Sequence, residues 1–162
     1  MTLLRICQAL NGTTLATAIR ESDTVFPVIE TVHVLAIALL AGTVAIVDLR
    51  LLGLVLKRER VSQVAGQVLP LTWAGFAAVF LSGALLFLAE AAKSYANPAF
   101  RFKMLLLIVA GLNPLVFHAT VYRGVALWDD APVAPRRARL AAALSLIPWS
   151  AIIAAGRAIA YS

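Results

Sequence analysis

Residues 25–56 read VFPVIETVHVLAIALLAGTVAIVDLRLLGLVL, an apolar run broken only by Glu30, His33, Asp48 and Arg50. A bilayer's hydrocarbon core takes about 20 apolar residues as a helix, so this stretch is long enough to cross one. Pro27 falls in the first turn, where helical amides are spare in any case. The charged run Lys57-Arg58-Glu59-Arg60 stops it.

Further spans are expected at about 69–92, 102–122 and 140–161, the last after the polar loop WDDAPVAPRRAR. In the second, Ala74, Ala78 and Ser82 recur every four residues as a small-residue ridge suited to close packing. Asn113-Pro114 lies in the third and Pro148-Trp149 in the fourth. The whole chain, 62% apolar and 14% charged with mean hydropathy +0.90, reads as one transmembrane domain over residues 1–162. The fold class expected is all-α: an integral membrane four-helix bundle preceded by a short interfacial helix. That helix comes from Leu3, Leu4, Ile6, Leu10, Leu15 and Ile19 mixed with Thr and Arg. Arg5, Gln8 and Asn11-Gly12 interrupt the same segment too often for a signal peptide.

Loop lysines and arginines set the orientation expected. Arg50, Lys57, Arg58, Arg60, Arg123, Arg136, Arg137 and Arg139 fall on one side, against Arg5, Arg20, Lys93 and Arg101 on the other. The positive-inside bias then puts both termini in the periplasm of a bacterial inner membrane. The net charge of +6 is spread over short loops without a basic, aromatic-bearing face, so anionic lipid is the simpler partner than nucleic acid. A membrane protein partner or a second copy of the chain stays open. Cys7, the sole cysteine, gives no intramolecular disulfide and no thiolate metal site.

Ionisable groups inside spans are expensive, and each is a candidate for function. Glu30 and Asp48 share one azimuth of the first span, about 27 Å apart along its axis, with His33 about 60° away. By depth, Glu30, His33, Glu90, Lys103 and Arg157 form an outer polar cluster; Asp48, Arg50, His118 and Arg123 form an inner one. Pairing among carboxylates and cations is one sufficient explanation of the outer cluster.

A neutral imidazole is a good iron ligand, so His33 and His118 also point to haem. Measured from span midpoints, His33 stands about 9 Å above centre and His118 about 7 Å below, which disfavours one iron between them. Lys103 is closer in depth to His33, leaving His118 a second candidate for the cofactor or a core histidine bonded to Asp48 or a backbone carbonyl. Phosphate loops, HExxH, CxxC and nucleophilic triads are missing from the sequence.

The run RESDTVFPVIETVHVLAIALLAGTVAIVDLRLLGL, followed by LTWAGFAAVFLSGALLFLAEAAKSYANPAFRFKMLLLIVAGLN, resembles a family of uncharacterised bacterial four-helix membrane proteins over nearly the whole chain. More distantly, His33, Gly42, Leu49-Arg50-Leu51 and Lys103 are similar to the membrane-bound bacterial protoporphyrinogen oxidase family. They also resemble the copper-resistance protein D type of membrane domain. In the oxidase family a first-helix histidine and a later lysine are the key polar residues and haem b is the cofactor. The resemblance implies those roles for His33 and Lys103, although Phe100 and Phe102 stand where that family has tryptophan and histidine.

The function expected first is therefore a haem b protein passing electrons between a quinone or other membrane partner and an acceptor, with His33 and Lys103 on the iron. A cofactor-free membrane subunit and a small transporter or channel using the Glu30 to Asp48 stripe are the alternatives.

Overall fold

The computed structural model describes residues 3–160, with side chains described as far as Gly156. The chain runs through α1 (Leu3–Asn11), α2 (Thr14–Arg20), α3 (Val25–Leu51), α4 (Val61–Ala89), α5 (Ala91–Ala96), α6 (Pro98–Thr120), a 3-10 turn (Tyr122–Leu127) and α7 (Arg136–Ala160). Four of these, α3, α4, α6 and α7, are long and apolar enough to cross a membrane. Their outward faces carry exposed Val34, Leu35, Phe80, Leu81, Ile108 and Leu115, as helices solvated by lipid do.

The four spans form two antiparallel hairpins, α3 with α4 and α6 with α7, joined by packing of α3 on α7. Among the described residues α4 and α6 make no such extended contact; Phe87 and Phe100, stacked at 5.6 Å, tie their ends together. One seam of the bundle is thus left without helix packing below that stack.

Within the first hairpin the backbones approach closely at Gly75, where a methyl group would stand 3.1 Å from the Leu40 nitrogen and 3.2 Å from its Cα and Cβ. Gly75 and Ser82 are buried on this seam, whereas Ala74, expected in the ridge, is exposed. The contact follows the seven-residue spacing of two helices crossing at a shallow angle, which rotates Ala74 off the interface.

Helix ends account for the departures from the spans expected. Gly53, at φ +70°, and Leu56, at φ 48°, turn the chain away after Leu51, so the apolar residues up to 56 belong to a loop. Eight residues earlier than the apolar run implies, α4 begins at Val61. There Asp129 accepts the Ser62 backbone N–H at 2.8 Å and its hydroxyl at 2.5 Å, capping the helix from a distant loop. Burial pushes the Asp129 carboxyl up, but the two Ser62 bonds and the charges of Arg60 and Arg50 outweigh it and hold the group below the usual carboxylate range.

The N-terminal segment is two helices rather than one. Thr13 breaks it, its hydroxyl donating to the Leu10 carbonyl at 2.8 Å and accepting the Ala16 N–H at 3.3 Å. Arg20 then pins α2 to the end of α4 through the Ala89 carbonyl at 3.0 Å and to α1 through that of Asn11 at 3.2 Å. Cys7, Ala16 and Ile19 are buried by this docking, while Leu3, Leu4, Ile6 and Leu15 remain exposed, as suits helices lying at a bilayer surface.

Two outcomes follow. Gly75→Val should lower the melting temperature of detergent-solubilised protein by the equivalent of about 1–3 kcal/mol. Gly111→Ala, where a methyl group meets nothing within 4 Å, should not. Because Asp129 has a folded-state pKa below its unfolded one, its contribution is present above the unfolded value and lost as pH falls through the folded value. Asp129→Asn should flatten that acid limb of a stability-against-pH curve while its amide oxygen still accepts from Ser62, and Asp129→Ala should cost about 1 kcal/mol at neutral pH, as loss of a cap does.

Candidate functional site

His33 is half-buried on α3, and its Nδ1 stands 2.8 Å from the Ser82 hydroxyl oxygen on α4. The Ser82 hydroxyl hydrogen is already committed, donating to the Ala78 carbonyl at 2.5 Å one turn back. It can therefore only accept from His33, and the Val79 carbonyl that also contacts the ring can only accept as well. Nδ1 carries the proton. Nε2 is left with its lone pair, the arrangement that a hydrogen-bonded metal-ligating histidine adopts.

The Cε1 edge of the ring comes up against α4 because the next residue is Gly83: a methyl group there would be 3.0 Å from His33 Cε1. From the second hairpin, Lys103 on α6 extends toward the same layer. Its Nζ is 3.7 Å from where a side chain on Gly156 of α7 would begin. His33, Ser82 and Lys103 each stand about 7–11 Å from the middle of their own helix, on the same side of the bundle. All four spans thus contribute at one level: α3 and α6 a histidine and a lysine, α4 a hydroxyl and a glycine, and α7 a glycine.

The carboxylates expected in this layer are elsewhere. Glu30 is exposed at the rim, and Glu90 makes a loose pair with Lys93 at 3.8 Å, in the turn that joins α4 to α6. Among the described residues Lys103 has neither a carboxylate nor a hydrogen-bond partner. The side chain of Arg157, the fifth member expected here, lies outside the described residues.

At the other end Asp48 is buried between α3 and α7, accepting a hydrogen bond from Ser145, with its Oδ2 unpartnered. Arg50, fully buried, donates from Nε to the Glu59 carbonyl at 2.8 Å and from Nη2 to that of Ala131 at 3.1 Å. It ties together the two loops at this end, and its Nη1 has no partner. A surface ion pair between Arg60 and Asp130, at 2.7 Å, closes the same knot. The Glu30 to Asp48 stripe therefore runs from an exposed rim to a packed knot.

His118 joins neither group. It is exposed on α6, its Nδ1–H donating to the Pro114 carbonyl at 2.9 Å and its ring 4.7 Å from that of Tyr122. Of the contacts expected for it, the backbone carbonyl is present and Asp48 is not. Arg123 lies beyond the end of α6, exposed.

Missed in the sequence were the three residues that give the layer its chemistry: Ser82, counted only as small, and the glycines at 83 and 156. The signal for Ser82 is its place on the α4 face opposite His33, visible only once the hairpin register is known. For the glycines there is no sequence signal beyond their small size.

Fold and interior define an integral membrane four-helix bundle with a histidine and lysine layer in one half. The chain belongs to a family of unknown function (DUF6644), whose model matches residues 22–162. Searches of curated proteins and of solved structures find nothing that matches it.

The tautomer gives a direct check. The nitrogen shifts of His33 in lipid should be those of an Nδ1-protonated ring, and Ser82→Ala should shift the balance toward the Nε2-protonated form; an Nε2–H ring in the unaltered protein would contradict the assignment.

Proposed function

We propose that this is a haem b-binding protein of a bacterial inner membrane, in which the His33 imidazole and the Lys103 amine would be the protein's nitrogen donors to the iron. The observation that supports this best is the pairing of a free Nε2 lone pair with an unpaired lysine in the same apolar layer. An ammonium without a counter-charge inside hydrocarbon is costly, and loss of its proton both removes that cost and creates a nitrogen donor. The donor set fits the cofactor: a neutral imidazole oriented by a second hydrogen bond, an amine, and apolar walls.

Haem supplies one-electron chemistry when bound, suited to exchange with a quinone or another membrane partner. What this chain's own residues do is narrower. Ser82 holds the Nδ1 proton and the ring plane, Gly83 lets the ring lie against α4, and Gly156 leaves room for the Lys103 side chain. The distant similarity of His33 and Lys103 to the protoporphyrinogen oxidase and copper-resistance protein D types of domain agrees with this assignment. We further propose that both termini face the periplasm, because the arginine-rich knot around Arg50 is then cytoplasmic.

Absorption spectroscopy of protein expressed with ample haem tests the proposal. A Soret band should be present, lost in His33→Ala, retained in His118→Ala and shifted in Lys103→Ala. Colourless protein, or equal loss in both histidine variants, would overturn it.

A further inference from the structure

A groove of about 520 Å³ opens where α6 ends and α7 begins, lined by Thr120, Val121, Pro135, Arg136 and Arg137. It lies at the end of the bundle away from His33, and both lining segments are termini of spans, so it sits at the level of lipid headgroups. We propose that it binds the phosphate of an anionic phospholipid, with Arg136 and Arg137 as the cationic donors. This is independent of any cofactor at His33.

Charge supports the assignment first. Arg136 and Arg137 are exposed and, among the described residues, pair with no carboxylate. The two aspartates of the preceding loop are engaged elsewhere: Asp130 holds Arg60 at 2.7 Å, and Asp129 caps α4 through Ser62. The groove therefore keeps an uncompensated positive charge. Thr120 adds nothing to it, since its hydroxyl donates to the Val116 carbonyl at 2.6 Å and offers an anion no hydrogen.

Shape separates a lipid from a soluble anion. One helical turn from the groove toward the hydrocarbon, Val116 lies on the face of Thr120, and Leu140 lies on the face shared by Arg136 and Arg137, with Leu144 a turn further. Val116, Leu140 and Leu144 are all about 60% exposed, at 59%, 63% and 59%. An acyl chain has an apolar track to follow from the headgroup into the bilayer, whereas inorganic phosphate would use the arginines alone.

The test uses full-length protein, stripped of lipid in detergent and re-equilibrated with phosphatidylglycerol or phosphatidylcholine, with bound lipid counted by native mass spectrometry. Phosphatidylglycerol should be retained and phosphatidylcholine should not. Each basic residue near a membrane surface is worth roughly a fivefold change in affinity, so Arg136→Gln with Arg137→Gln should weaken retention about thirtyfold. Lysines at both positions should keep it, which separates lost charge from lost folding. The control, Lys57→Gln with Arg58→Gln, removes the same charge from an exposed loop and should leave binding unchanged. Equal loss in the control would mean diffuse attraction, equal retention of both lipids would mean an apolar cleft, and displacement by inorganic phosphate would mean a soluble-anion site. Any of the three overturns the proposal.

Discussion

A lysine held inside an apolar bundle with no carboxylate beside it among the described residues is the constraint on which the rest of this molecule turns. Moving an ammonium from water into such a medium costs several kcal/mol unless it is paired, wetted or neutralised. The fold answers at one level, where α3 contributes an imidazole and α7 a glycine beside Nζ. Ser82, holding the imidazole from α4, decides which ring nitrogen carries the proton. Structural salt bridging would have been the simpler solution, and the carboxylates for it exist in the sequence, but Glu30 sits at the rim and Glu90 turns toward Lys93.

The two ends of the bundle handle polarity in opposite ways. Near His33 the polar groups are few, whereas the end around Arg50 is a knot in which backbone carbonyls, Ser62, Asp129 and the Arg60 to Asp130 pair engage many donors and acceptors while Asp48 Oδ2 and Arg50 Nη1 stay unpartnered among the described residues. Arg50 does there what a carboxylate partner would do elsewhere: it binds two loops at once through their carbonyls, so the hairpins are joined at a point distant from the histidine and lysine layer. Rigidity at one end and openness along the α4 and α6 seam are compatible because the hairpins meet mainly through α3 and α7.

Much of the architecture was legible in the sequence because spans in a membrane announce themselves by length and apolarity, which do not depend on what packs against what. Helix ends were less so: α4 starts at Val61 through a cap supplied by Asp129, nearly 70 residues away, and no local pattern predicts a remote cap. Depth arithmetic brought His33 and Lys103 to one level and set His118 apart. It failed for Glu30 and Glu90 because both lie at the ends of their helices, Glu30 exposed at the rim and Glu90 in the turn after α4, where it pairs with Lys93. Ala74 was misplaced for a similar reason, a four-residue repeat standing in for the seven-residue seam that Gly75 and Ser82 follow.

The central claim, that His33 and Lys103 from different hairpins share one layer of the bundle, can be measured without any cofactor. The chain has two histidines, so His118→Gln leaves a single imidazole. Solid-state NMR of that protein in lipid, with labelled histidine and lysine, should give a through-space cross-peak between the His33 ring and the Lys103 side chain. That peak should disappear in Lys103→Ala and survive Lys93→Ala. A His33 ring with no lysine contact, or one whose contact survives Lys103→Ala, would contradict the account.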